Sequence, residues 1–145
     1  MTNKALAMLG TLALVTAASA FGQTMLTADV PFEFTFAHKV MPAGHYDVFS
    51  TPTLLRLRGD AAGNDALSTT YPIGSATSES PEPRLVFHKY GDKYFLAEVW
   101  CDPGDSYSAG VLESKEEREL AGNGKKTASA TVPARTDVVL LARLK

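Results

Sequence analysis

The sequence predicts a mainly β fold: an antiparallel β-sandwich or small barrel with one short helix, over residues 114–121, in its C-terminal half. Two observations carry this. Apolar and polar residues alternate with a period of two in segment after segment, as in half-buried strands. Clusters of Gly, Pro, Asn and Asp separate those segments, and long amphipathic helices are nowhere interleaved with them, which disfavours a doubly wound α/β fold. Seven or eight short strands are expected.

The first twenty residues, MTNKALAMLGTLALVTAASA, stand outside this pattern. Lys4 precedes an apolar run that reaches about Ala17, and Ala18-Ser19-Ala20 supplies the small residues a signal peptidase reads. That is the three-part layout of a secretory signal peptide. The run falls short of the roughly 20 residues that span a bilayer. Cleavage after Ala20 is expected, leaving residues 21–145 as a single β-rich domain with no membrane span, exported to the periplasm or the extracellular medium.

Within the domain, PFEFTF sets Phe32, Phe34 and Phe36 on one face and Glu33 and Thr35 on the other. Pro31 marks a strand start or an edge. Pro42 and Gly44 suit a type I turn over 41–44. Tyr46 and Val48 then oppose His45, Asp47 and Phe49, and Leu55 and Leu57 oppose Arg56 and Arg58. Residues 60–65 form a turn, ALSTTYPIG is a weaker strand ended by Pro72 and Gly74, and 74–83 is a polar loop. LVFHKYGDKYFLAEVW reads as a hairpin about a two-residue Gly91-Asp92 turn, of type II′ or of type I′ with strain at Asp92. Its register pairs Tyr90 with Lys93, His88 with Phe95, Val86 with Ala97, Lys89 with Tyr94, Phe87 with Leu96 and Leu85 with Glu98. Phe87, Leu96, Leu85 and Trp100 are its core candidates. Residues 101–110 read as loop.

SKEEREL carries a capping box, in which the Ser114 hydroxyl accepts from the third helical amide while the Glu117 carboxylate reaches back. Glu116 and Glu117 also sit at the positive end of the helix dipole. Gly122 is expected to end the helix, and Leu112 and Leu120 to dock it on the sheet, since two turns are marginal alone. TDVVLLARLK is apolar on both faces in its first half, which predicts a strand covered on both sides.

Composition excludes some functions. Removing residues 1–20 takes one base and no acid, so 14 bases and 16 acids become 13 and 16, a net charge of −3 with histidine neutral. No basic excess is present to hold a nucleic-acid backbone or an anionic membrane. The one cysteine, Cys101, cannot form an internal disulfide. It is expected as a buried thiol, with intermolecular pairing as the alternative.

No catalytic set and no cofactor motif emerges. A Gly-x-Ser-x-Gly elbow is missing. The hairpin register keeps Cys101 out of reach of His88 as a base. GKKT at 124–127 has Glu119 where a phosphate loop needs glycine. Asp102 and Asp105 lack the spacing of a calcium loop and suit turns. Among the three histidines, His45 shares a strand face with Asp47 two residues on. With His88 they are the candidate metal ligands, provided that all three converge.

PFEFTF, MPAGHYDV, LVFHKYGDKYFLAEVW and SKEEREL, in that order behind a signal peptide, resemble a family of small exported proteins abundant in soil bacteria. The resemblance implies export, one β-rich domain and a helix motif near its end; it implies no activity, ligand or catalytic residue. Residues 59–83, Cys101 and the tail after Gly122 lie outside it. The leading expectation is an exported, non-enzymatic β-domain that binds a ligand, envelope component or protein partner through sheet faces and edges. The alternatives are an enzyme or metal site built from His45, Asp47 and His88, and a structural or adhesive subunit joined through strand edges.

Overall fold

Alternation becomes strand wherever one face can be buried, and it does so through most of the described residues. The computed structural model describes residues 24–74, 82–101, 108–126 and 134–145. The expected leader, residues 1–20, and the acids Asp102 and Asp105 lie outside them. The strands are β1 (Thr24–Val30), β2 (Phe34–Phe36), β3 (Lys39–Met41), β4 (Gly44–Ser50), β5 (Leu54–Gly59), β6 (Asp65–Pro72), β7 (Arg84–Tyr90), β8 (Lys93–Trp100), β9 (Ala109–Val111), β10 (Thr136–Leu141) and β11 (Arg143–Leu144). Helix α1 (Lys115–Lys126) lies between β9 and β10.

The eleven strands form one mixed sheet in the order β10-β7-β8-β9-β6-β5-β4-β1-β11. Its two ends are consecutive in sequence. Strand β10 pairs with β7, and after Ala142 strand β11 pairs with β1, so the sheet returns on itself as a barrel. The buried Ala142 marks the switch, its N–H donating to the Pro83 carbonyl at 2.9 Å. The closing pair is short, Leu26 with Leu144 and Thr27 with Arg143, and among the described residues β10 and β3 are each paired on one side only. Off this path, β2 pairs with β3 and lies parallel to β8 at Thr35 and Phe95.

Side chains fill the interior. Tyr46, Phe34, Phe36, Phe87, Leu26, Met41, Leu55, Leu57, Leu85 and Val48 are all fully buried. Edge-to-face rings tie the centre, with Phe87 5.1 Å from Phe32 and 5.3 Å from Phe34 between centroids. Cys101 belongs to this core, as its sequence suggests. Burial of Tyr46 raises its pKa, and its hydroxyl donates to the Pro42 carbonyl at 2.5 Å.

Two tight turns show how the sequence meets its backbone. Gly91 has φ +60° and Asp92 does not share the positive region, which is the type II′ pattern. Between β2 and β3 the two turn residues are Ala37 and His38, at φ 52° and 63°. Both carry a Cβ in the left-handed region, which costs roughly 1–2 kcal/mol per residue. At the β6–β9 pair the ring of Tyr71 covers Gly110 so closely that a Cβ there would lie 2.4 Å from it.

Several expectations need correction. Strands β1, β3 and β9 are additional, so residues 109 and 110 are strand, not loop. A bulge between Val86 and Phe87 shifts the hairpin, so Val86 faces Glu98 and Leu85 faces Val99; the four pairs nearer the turn stand as predicted. The shift places Trp100 outside the core, half-buried. Helix α1 continues past Gly122 to Lys126. Leu112 does not dock it, being 61% exposed. Strand β10 is covered on one face only, because Val138 and Leu140 pack on the core while Val139 and Leu141 stay exposed.

Candidate functional site

Pairing sets β10, β7 and β8 side by side, and their outer face has three successive rungs. Asp137, His88 and Phe95 form the first; Val139, Val86 and Glu98 the second; Leu141, Arg84 and Trp100 the third. Helix α1 reaches the first rung, and the third is open to solvent.

The first rung centres on a buried carboxylate. Glu117 is 3% exposed, and its Oε1 accepts from His88 Nδ1 at 2.6 Å and from the Tyr90 hydroxyl at 3.4 Å. His88 is itself mostly covered, with 12% of its side chain exposed. A buried carboxylate is costly unless hydrogen-bonded, and two donors from β7 meet that need. Burial pushes the Tyr90 phenol up to about 12, with the Glu117 and Glu113 carboxylates adding to it, so it remains a proton donor at neutral pH. The ring of Phe95 packs edge-on against Tyr90 at 5.9 Å. On the outer side, Asp137 Oδ1 lies 4.0 Å from His88 Nε2 and 3.3 Å from Arg135 Nε. Glu113, Glu117 and His88 together bring ligand-type atoms within 4.8 Å of one another.

The helix start makes this possible. Ser114 Oγ accepts from the Glu117 N–H at 3.1 Å, so half of the predicted capping box forms. The other half is replaced, because the Glu117 side chain turns toward the barrel. Lys93 pairs with Glu116 beside it and fixes the same turn to β8.

At the open end of the face, the Arg84 guanidinium carbon lies 4.7 Å above the Trp100 ring, and Trp100 Nε1 donates to Glu98 Oε2 at 2.7 Å. Beside this stack, Val139 is 53% and Leu141 66% exposed.

The three candidate ligands expected from sequence are not brought together. His45 and Asp47 do share one face of β4, but His45 Nδ1 meets Asp29 Oδ1 on β1 at 2.7 Å. That hydrogen bond is the main reason the imidazole pKa is raised. Asp47 instead pairs with Lys145 Nζ at 3.0 Å. His88 meets Glu117, and His38 is exposed in its turn. The residues missing from the sequence reading are Tyr90, Glu113, Glu117 and Asp137. The capping motif does mark Glu117, but a capping motif assigns its carboxylate to the backbone.

No protein-family model, no curated protein and no solved structure matches this chain. No helix among the described residues is long and apolar enough to cross a membrane.

Proposed function

We infer that the chain acts after export as a non-enzymatic binding domain and receives a protein partner on the open half of the β10-β7-β8 face. One observation carries this reading: Leu141 and Val139 stand exposed beside an ordered Arg84–Trp100 stack. Aromatic and arginine side chains dominate the energetic centres of protein interfaces, and aliphatic neighbours exclude water around them. A filled interior favours a surface site over a ligand held inside the barrel. The strand-edge reading would use the side of β10 or β3 that no described strand pairs, and it leaves the Arg84–Trp100 stack without a role.

The test is photocrosslinking in cells producing the full chain, with a photoreactive residue at Leu141 or, as control, at Leu54 on β5, where the native side chain is also exposed. A discrete adduct from position 141 and none from 54 is the expected result, in a chain whose N-terminus is Phe21. Equal or absent adducts would overturn the binding assignment, and an intact Met1 would overturn export.

A further inference from the structure

The covered half of the same face has a property that docking a helix does not require. His88, Glu113 and Glu117 come from strand β7, the segment before α1 and the first turn of α1, yet each brings a ligand-type atom within 4.8 Å of the other two. We propose that His88, Glu113 and Glu117 bind one divalent transition-metal ion of the zinc class between strand β7 and the start of helix α1. This site is independent of the protein-binding half of the face.

The donor set chooses the metal class. One imidazole and two carboxylates suit zinc, whereas calcium and magnesium take oxygen ligands and more of them. Zinc bonds of about 2.0–2.2 Å place tetrahedral ligand atoms roughly 3.3 Å apart. The His88–Glu117 contact at 2.6 Å must therefore open slightly, and Glu113 must move inward. Glu113 is exposed and has room to do so.

The surroundings favour the same assignment. His88 presents Nδ1 to Glu117, which leaves Nε2 toward Asp137 Oδ1 at 4.0 Å. Ligation uses the Nδ1 lone pair, so the single ring proton sits on Nε2, facing that carboxylate. A carboxylate behind a metal-bound imidazole favours the ring proton on the side it faces; at 4.0 Å Asp137 acts by its charge, beyond hydrogen-bond distance. Here Arg135 in turn holds Asp137. A dication also compensates the burial of Glu117 more fully than an imidazole N–H and a hydroxyl at 3.4 Å do. Water completes the coordination.

The experiment uses untagged protein stripped with a chelator, then titrated with Zn²⁺ against a chromophoric competitor. One ion per chain is expected, together with a change in the nitrogen NMR signals of His88 and not of His38 or His45. Glu113→Gln should weaken binding about tenfold or more while leaving the metal-free melting temperature unchanged, because that residue is exposed. His88→Gln should do the same to affinity. Absence of stoichiometric binding overturns the proposal. So does binding that Glu113→Gln leaves intact, a response at His38 or His45, or Ca²⁺ and Mg²⁺ binding as tightly as Zn²⁺.

Discussion

Replacing Glu117 with alanine removes the acceptor on which helix α1 is docked. The variant should be compared with the parent in chelator, so that only protein contacts count. The bond from His88 Nδ1 is 2.6 Å long, with 12% of the His88 side chain and 4% of the Glu117 side chain exposed. A hydrogen bond to a charged group of this kind contributes roughly 1.5–3 kcal/mol, and the longer Tyr90 contact adds about 0.5 kcal/mol. Relief of the buried charge works in the opposite direction. That relief is limited, because Glu117 lies in the first helical turn, where the dipole already favours an anion. The net loss is then about 2 kcal/mol, or a melting temperature lower by roughly 6–10 °C for a domain of this size. Glu117→Gln keeps the shape and a neutral acceptor and should lose about half as much. In a double-mutant cycle, His88→Ala and Glu117→Ala should couple by about 1.5 kcal/mol or more. An alanine variant as stable as the parent would refute the polar docking of the helix.

Other perturbations probe separate links. Ser114→Ala removes the acceptor for the Glu117 N–H and should cost about 1 kcal/mol, read as a lower urea midpoint at constant m. His38→Gly relaxes a φ of 63° and should raise the urea midpoint by about 1 kcal/mol equivalent; a loss would mean the His38 side chain has a role of its own. Phe87→Ala empties the ring cluster with Phe32 and Phe34 and should cost about 3–5 kcal/mol in the same assay. His45 should titrate above the ordinary histidine value by NMR, because Asp29 bonds its imidazolium. A raised folded pKa gives stability that is complete below the unfolded value and fades as pH rises through the folded one. Asp29→Asn should lower the His45 pKa and flatten that slope.

Much of the barrel is legible in the sequence because a period of two is a local property. Tyr46, Val48, Leu55 and Leu57 fall inside and Arg56 and Arg58 outside, as their alternation requires. Strand β1 shows the same signal at Leu26, Ala28 and Val30, shortly after an apolar run whose composition masks a period of two. What fails is what depends on distant partners. The bulge at Val86 depends on how β8 sits between two neighbours, and it is this bulge that turns Trp100 outward. Strand β10 has the composition of a doubly covered strand, but nothing among the described residues covers Val139 and Leu141. The candidate site is less legible still. His88 pairs with a carboxylate 29 residues away, through a helix whose own motif suggests a different partner for that carboxylate. His45 and Asp47 lie on one face as their spacing demands, but spacing cannot reveal that Asp29 and Lys145 already engage them.

The proposed function requires that the open half of the β10-β7-β8 face meet a protein partner. Hydroxyl-radical footprinting tests it most directly, by comparing side-chain oxidation in intact producing cells with that of the purified protein. Trp100, Val139 and Leu141 should be protected in cells, while Leu54 and Leu67, exposed elsewhere on the barrel, should react equally in both. Equal oxidation of Trp100 and Leu141 in the two samples, or protection centred on Leu54 and Leu67, would contradict it.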